Sequence, residues 1–420
     1  MAEAHVVIVG GGLAGAKTAE ALREEGFDGA ITLLAAEDEI PYERPPLSKE
    51  FLQGKQEIED AQVHPASWYE EQHVQLRRGV RAESVDAAAG TVALSTGESL
   101  PYTDLVLATG SEPRRPDWPG VEAAGVHVLR THADAEALRE AFGAGPDAAG
   151  SGPARRLVCV GGGWIGLEAA ASARQAGLDV TVLERSAVPL GKILGDRVAG
   201  VFAQLHRDNG VDLRTETSVE RILVKDGRAT GVRLQDGNEI EADLVLLGLG
   251  ATPRLETARS AGLEIDAETG GVAVDAALRS SDPHVYAVGD IASVAHPVLG
   301  RRLRVEHWAT ALNQPAVVAK AIVGKNARYT ELPYFFSDQF DLGMEYIGWV
   351  APHERVDVVI RGSLEDREFV AFWVAEDGSV KASMNVNIWD VPDAMKPLIT
   401  ECKPVDREAL ADPEVPLAHL

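Results

Sequence analysis

One glycine pattern occurs twice in this chain, as Gly10-x-Gly12-x-x-Gly15 and as Gly161-x-Gly163-x-x-Gly166, at a constant offset of 151 residues. Each copy directly follows a short apolar run, Val6-Val7-Ile8-Val9 in the first and Leu157-Val158-Cys159-Val160 in the second. Each opens a helix-like stretch rich in Ala, Leu and Glu, from Leu13 to about Glu25 and from Leu167 to Ala176. A second strand then follows, Ala30 to Ala35 and Val180 to Leu183. This is the strand–turn–helix–strand unit of a parallel sheet. The units also end alike: Asp104-Leu105-Val106-Leu107 resembles Asp243-Leu244-Val245-Leu246, and Pro113-Arg114 resembles Pro253-Arg254. Two nucleotide-binding-type units are therefore expected, not a short-period solenoid.

The spacing of the glycines has a chemical meaning. The first allows the tight turn, the second lets a pyrophosphate approach the backbone, and the third lets helix and strand pack closely. The helix N-terminus then offers N–H groups and a positive dipole end to phosphate. An acid about 20 residues further on is needed for the ribose hydroxyls. Glu37 lies 22 residues past Gly15, and Glu184 lies 18 residues past Gly166. Two dinucleotides are implied, and the obvious pair is a flavin and a nicotinamide dinucleotide. A carboxylate at Glu184 accepts hydrogen bonds from a free 2′-OH and repels a 2′-phosphate. NADH is expected over NADPH, although Arg185 stands next to Glu184.

Composition bounds the rest. At about 100–200 residues per domain, 420 residues suggest two or three domains. Lys plus Arg is 40 and Asp plus Glu is 65, so the net charge of 40 − 65 = −25 argues against a nucleic-acid or anionic-membrane partner. No apolar run approaches the roughly 18 residues that span a bilayer. The start, Met1-Ala2-Glu3-Ala4-His5, lacks a basic leader, so a cytoplasmic protein is expected. Two cysteines, Cys159 and Cys402, make neither a disulfide framework nor a four-ligand zinc site. Cys159, apolar on both sides, reads as a core residue. His64, His73, His127 and His132 show no metal-ligand spacing. A turn-rich loop, Gly143 to Pro153, precedes the second unit, and the composition shifts after Tyr329. The expected architecture is α/β, with two Rossmann-like dinucleotide-binding domains and a C-terminal α+β domain. The expected boundaries are 1–115 with 248–327 for FAD, 116–247 for NAD, and 328–420 for the last domain.

Further segments occur in order: Pro41-Tyr42-Glu43-Arg44-Pro45-Pro46-Leu47-Ser48-Lys49, Ala108-Thr109-Gly110, Gly161 to Glu168, Tyr286-Ala287-Val288-Gly289-Asp290, Glu306-His307-Trp308, and Pro333 to Gln339. Together they resemble the FAD-dependent ferredoxin reductases of bacterial oxygenase systems, which are flavoproteins of the glutathione-reductase type. The resemblance covers essentially the whole chain. It implies that Gly10, Gly12, Ala14 and Gly15 hold the FAD pyrophosphate and that Glu37 holds the adenosine ribose. Many relatives carry that acid one place earlier, where this chain has Ala36. Arg44 and Arg130 would contact FAD, Arg44 at its phosphates. Val80, Thr109 and Gly110 would lie toward the adenine end. Asp290 would bind the ribityl chain, and Trp308 would lie beside the flavin ring. Gly163, Ile165, Gly166, Glu184, Lys192 and Gly250 would contact NAD.

Disulfide reductases of this flavoprotein group carry a cysteine pair after the second strand. The corresponding stretch here, Arg44 to Lys49, has no cysteine. Electrons must therefore leave to an external acceptor. The resemblance implies hydride transfer from NADH to the flavin, then single-electron transfer to a [2Fe–2S] ferredoxin that serves an oxygenase. It also implies that Lys49 and Glu168 form a catalytic ion pair near flavin N5. Against a chain charge of −25, docking of an acidic ferredoxin needs a local basic patch, with Arg301, Arg302 and Arg304 first and Arg77-Arg78 or Arg114-Arg115 as others. A monomer or a homodimer fits equally. The alternatives are an NADH-dependent reductase of rubredoxin, a quinone or a small-molecule radical, and a redox-sensing interaction protein like apoptosis-inducing factor.

Overall fold

The computed structural model describes residues 4–143 and 155–419. Residues 144–153 of the expected turn-rich loop lie outside the described residues. The contacts divide the chain into two units. One comprises Met1–Glu43, Ile58–Glu112 and Thr252–Phe335; the other comprises Arg44–Glu57, Pro113–Ala251 and Phe336–Leu420. The second unit thus takes in the C-terminal segment and also Arg44–Glu57, whose assignment apart from its sequence neighbours no local pattern indicates. The helices carrying most of the candidate residues are α1 (Leu13–Glu24), α2 (Trp164–Gln175), α3 (Asp196–Asp208) and α4 (Trp308–Ile322).

The first unit is built on a five-stranded parallel sheet, in the order Val285–Ala287, Asp104–Leu107, His5–Val9, Ala30–Leu34, Val74–Arg77. Its central strands are short apolar runs buried on both faces, as a helix-covered parallel sheet requires. Helices α1 and α4 pack against each other. The core gathers Val6, Ile8, Leu33, Val106 and Tyr286 around Val318 and Ala319 of α4.

The second unit repeats the plan. Its parallel sheet runs Asp212–Arg214, Asp179–Leu183, Arg156–Val160, Leu244–Leu247, Val126–His127. In both sheets the glycine turn follows the central strand, where the strand order reverses. Ligands of such sheets bind outside the carboxyl ends of the strands at that switch point. Register refines one expected correspondence. Val6 pairs with Asp104 and Leu157 pairs with Leu244, so Leu244, not Asp243, holds the place of Asp104. Asp243 instead binds the backbone N–H groups of Arg155 and Arg156 at 3.0 and 2.9 Å.

The C-terminal sheet has five strands, in the order Tyr334–Gln339, Leu342–Gly348, Val380–Val386, Glu368–Ala375, Val356–Ser363, and all of it from Phe336 on belongs to the second unit. The last four strands pair antiparallel. Phe369, Phe372 and Trp373 are fully buried there. No helix among the described residues is long and apolar enough to cross a membrane.

Candidate functional site

In the first unit the strand His5–Val9 runs into Gly10, whose φ is +128°. A side chain there would meet the Ala108 carbonyl oxygen at 2.1 Å, so only glycine fits. At Gly15 a Cβ would stand 1.9 Å from the Gly10 carbonyl oxygen, which is the close helix–strand approach expected of the third glycine. Gly12 is the N-cap of α1, no side chain caps it, and no acidic residue stands in the first turn. The helix start is therefore left with N–H donors and an unopposed positive dipole end, which suits a pyrophosphate.

Around it the expected FAD residues are held by specific bonds. Asp290 is buried in the turn Gly289–Ile291. That turn approaches α1 closely: a Cβ on Gly289 would lie 3.4 Å from the Ala14 Cβ. Gln314 of α4 accepts from the Gly289 N–H at 2.7 Å, and Arg304 donates to the Asp290 carbonyl at 3.0 Å. The Thr109 hydroxyl donates to the Arg254 carbonyl at 2.6 Å, and Gly110 accepts from the Arg254 N–H at 2.9 Å. Val80 donates its N–H to the Ala35 carbonyl at 2.9 Å, which brings it to the end of the second strand. Glu37 accepts from the Tyr42 hydroxyl at 2.5 Å. Trp308, half-buried, begins α4 and donates its indole N–H to Glu43 at 2.8 Å. Beside it His307 is the N-cap of α4, and burial pushes its imidazole down to about 4. Its Nδ1 has no hydrogen-bond partner among the described residues. His307 lay within a motif that the sequence singled out only for its tryptophan.

The second unit rebuilds the cradle with one change. Gly161 has φ +107°, and a Cβ would meet the Gly248 carbonyl oxygen at 2.3 Å. At Gly166 it would meet the Gly161 carbonyl oxygen at 2.1 Å. Gly163 caps α2 without side-chain help, again with no acid in the first turn. Around Gly163 and Gly250 a Cβ would meet nothing within 4 Å, so both leave open space for a ligand. Glu184 ends the strand Asp179–Leu183 and accepts from the N–H groups of Gly162 at 2.9 Å and Ser186 at 2.6 Å. A carboxylate in that place, with lone pairs to spare, is what a ribose diol needs. Ile165, in the first turn of α2, is 46% exposed, an apolar surface beside the cradle. Lys192 is exposed in the short helix Gly191–Leu194.

Other candidates come together within this unit. The Arg44 guanidinium donates to the Arg130 carbonyl at 3.0 Å, so two cationic residues meet. Lys49 Nζ lies 3.5 Å from Glu168 Oε1, and both side chains are buried. Glu168 also accepts from Ser48 Oγ at 2.5 Å and from Ser337 Oγ at 2.7 Å. The Lys49 ammonium stands 5.0 Å from the centre of the Phe336 ring. Asp338 is pushed up by burial, and the nearby Lys49 works against that rise. The sequence did not mark Ser48 or Ser337, although each adjoins or lies within a quoted motif.

The expected docking arginines divide. Arg301 is exposed. Arg302 binds the carbonyls of Val274 and Ser293, and Arg304 binds Thr269 at 2.9 Å and Glu306 at 2.7 Å. Cys159 is fully buried, and burial pushes its thiol up to about 12. Among the described residues no group of three or more His, Cys, Asp or Glu could hold a metal ion.

Two glycine cradles on parallel sheets, with a further sheet domain after them, define a dinucleotide-dependent oxidoreductase fold. The chain belongs to the pyridine nucleotide-disulphide oxidoreductase family, whose pattern matches residues 4–315, and a reductase C-terminal domain matches residues 334–420. It is 38% identical to the ferredoxin–NAD(+) reductase component of an anthranilate 1,2-dioxygenase system of Burkholderia cepacia, over 98% of both chains. It is 36% identical to putidaredoxin reductase of Pseudomonas putida, over 99% of this chain and 96% of that one. Among solved structures it matches the covalent putidaredoxin reductase–putidaredoxin complex with a TM-score of 0.91 and 36% identity, over 99% of this chain and 98% of that one.

Proposed function

We propose that this chain is an FAD-dependent NADH:ferredoxin oxidoreductase, which takes hydride from NADH and passes single electrons to a [2Fe–2S] ferredoxin feeding an oxygenase. The observation that carries the reading is the doubled glycine cradle, one copy of which ends its second strand in the carboxylate of Glu184. FAD, when bound, supplies the chemistry: it accepts a hydride as an electron pair and can release the electrons one at a time.

The chain's residues bind and orient. We assign FAD to the domain formed by 1–115 and 248–327, NADH to 116–247, and an interface role to 328–420. Gly10, Gly12, Ala14 and Gly15 hold the FAD pyrophosphate at the start of α1, Arg44 balances its charge, and Arg130 is a further FAD contact. Glu37, Val80, Thr109 and Gly110 serve the adenosine end, Asp290 the ribityl hydroxyls, and Trp308 the ring. Gly163, Ile165, Gly166, Glu184, Lys192 and Gly250 hold NADH. Glu184 favours the free ribose diol over a 2′-phosphate by charge. Lys49 and Glu168 are the catalytic pair: the ammonium stabilises negative charge that develops on reduction, and the carboxylate keeps the ammonium placed.

Electrons leave the protein because its only two cysteines offer no internal acceptor; one is buried in a strand and the other is exposed near the C-terminus. The similar proteins of the anthranilate and putidaredoxin systems are named for the ferredoxin-type partners they serve. For docking we favour Arg301, since Arg302 and Arg304 are engaged by neighbouring groups of their own chain. The use of NADH places the enzyme in the cytoplasm in this reading.

The test is stopped-flow absorbance of the purified protein with NADH, followed by a panel of [2Fe–2S] ferredoxins. Fast bleaching of a bound flavin and then ferredoxin reduction is the expected result. Bleaching with fast quinone turnover and no transfer to any ferredoxin would overturn the choice of partner. A protein that binds no flavin would overturn the reading itself.

A further inference from the structure

The Lys49–Glu168 pair does not stand alone. Behind Glu168 a line of buried polar side chains leads away through the C-terminal sheet to α3. Ser337 Oγ donates to Glu168 Oε1 at 2.7 Å, and Gln339 Nε2 donates to Ser337 Oγ at 3.1 Å. Gln339 Oε1 then faces His206 Nε2 at 2.9 Å. A carbonyl oxygen can only accept, so the imidazole donates from Nε2. His206 is fully buried and burial pushes its pKa down to about 4, so it enters the chain neutral. Glu168, Ser337, Gln339 and His206 are each at most 4% exposed. Every donor in the line points toward the one carboxylate.

The direction matters because such bonds reinforce one another in a low-dielectric interior. Ser48 holds the other carboxylate oxygen at 2.5 Å, and Ser172 in turn holds the Ser48 carbonyl at 2.7 Å. Lys49, at 3.5 Å, is the most distant of the three groups facing Glu168. The two hydroxyls therefore compete with the ammonium for the carboxylate. Both carboxylate oxygens are thus taken at shorter range by hydroxyl donors, and the ammonium stands farther off.

We propose that Ser337 and Gln339, backed by His206, are positioning residues that hold Glu168 away from Lys49 and so set the electron affinity of the bound flavin. This inference rests on the proposed function, in which Lys49 acts on reduced FAD. In Ser337→Ala the carboxylate loses one competing donor and closes on the ammonium. Less positive field then remains to stabilise the reduced cofactor.

The measurement is the midpoint potential of the bound flavin in wild type, Ser337→Ala, Ser337→Thr and Gln339→Met, read by dye-equilibrated spectral titration. Ser337→Ala should make reduction about tenfold less favourable, which for a two-electron couple is a downward shift of about 30 mV. Gln339→Met should move it the same way by less. Ser337→Thr, which keeps the hydroxyl, should restore the wild-type value. The hydride-transfer rate should fall with the NADH dissociation constant unchanged. An unmoved potential in both Ser337→Ala and Gln339→Met would overturn the inference while leaving the enzyme reading intact. So would a shift in Ser337→Ala that threonine does not reverse, since packing alone would then explain it. A wild-type protein that binds no flavin would overturn the functional reading, and this inference with it.

Discussion

The two glycine cradles share their backbone and differ at one decisive side chain. In each, the N–H of the first glycine donates to the last residue of the second strand, Gly10 to Leu34 and Gly161 to Leu183, at 2.9 and 2.8 Å. The next residue is therefore equivalent in the two copies: Ala35 in the first and Glu184 in the second. A Cβ on Gly11 would run into the Ala35 Cβ at 2.3 Å, whereas Gly162 donates its N–H to the Glu184 carboxylate. The first copy keeps its acid two positions later, at Glu37, tied to the Tyr42 hydroxyl. The two glycine turns thus share one backbone geometry, and the residue at the strand end differs between them, which under the proposed function gives each cradle a different nucleoside site. Under the proposed function, the acid that the sequence spacing found for both copies is one functional type in two places.

This comparison can be broken by substitution. The largest effect is expected from Gly10→Ala, where a Cβ has a backbone oxygen 2.1 Å away at positive φ. It should yield protein without bound flavin, visible as loss of the yellow absorbance. Gly161→Ala should instead keep the flavin and raise the KM for NADH by about 100-fold or more, a loss of about 3 kcal/mol of binding. If both variants lose flavin, the two cradles are not separate sites.

Next in size is the proposed catalytic pair, Lys49 and Glu168. Lys49→Met should retain both cofactor sites and lower the rate of flavin reduction by about 10²–10³-fold, the usual scale for removing one charge-stabilising donor. Normal hydride transfer in that variant would reduce the 3.5 Å contact with Glu168 to a structural bridge. Glu184→Gln should act on selectivity more than on rate. The preference for NADH over NADPH in kcat/KM should fall by about tenfold, as the repelling charge is lost. Unchanged selectivity would erase the distinction drawn between Ala35 and Glu184. The smallest effect falls on docking: Arg301→Glu should raise the ferredoxin KM a few-fold at low salt. That difference should shrink as ionic strength approaches about 0.1 M and above, where exposed charges are screened beyond about 10 Å.

Much of this was legible in the sequence because it is local. The glycine turns, the helices that follow them and the strands on either side each need only contiguous residues, and their observed limits lie within three positions of those expected. The helix after the second turn begins at Trp164, for instance, three residues before the expected Leu167. What stayed hidden depends on partners far along the chain. The Ser337–Glu168 bond joins residues 169 positions apart, and no pattern at either end announces it. The same holds for Arg302, which looks like a surface cation in the sequence yet lies against the carbonyl of Val274 at 2.9 Å. The similarity of Asp104 to Asp243 misled by one residue because both are acids just before an apolar strand, while register is set by neighbouring strands. The lysine–glutamate pair was legible through resemblance alone, since nothing in the spacing of residues 49 and 168 foretells a contact.

One detail of the sheets bears on the order in which they are made. The second sheet draws its edge strand, Val126–His127, from chain that precedes the rest, so its last strand ends at Leu247. The first sheet waits for Val285–Ala287, although its other four strands are finished by Leu107. As the polypeptide leaves the ribosome, from its N-terminus onward, the second sheet can gather all five strands while the first still lacks Val285–Ala287. Completion of the first sheet is thereby deferred until some 40 further residues have been translated. A nascent chain halted between these points would hold one complete nucleotide fold and one with an open edge. It could be sampled by limited proteolysis of stalled complexes.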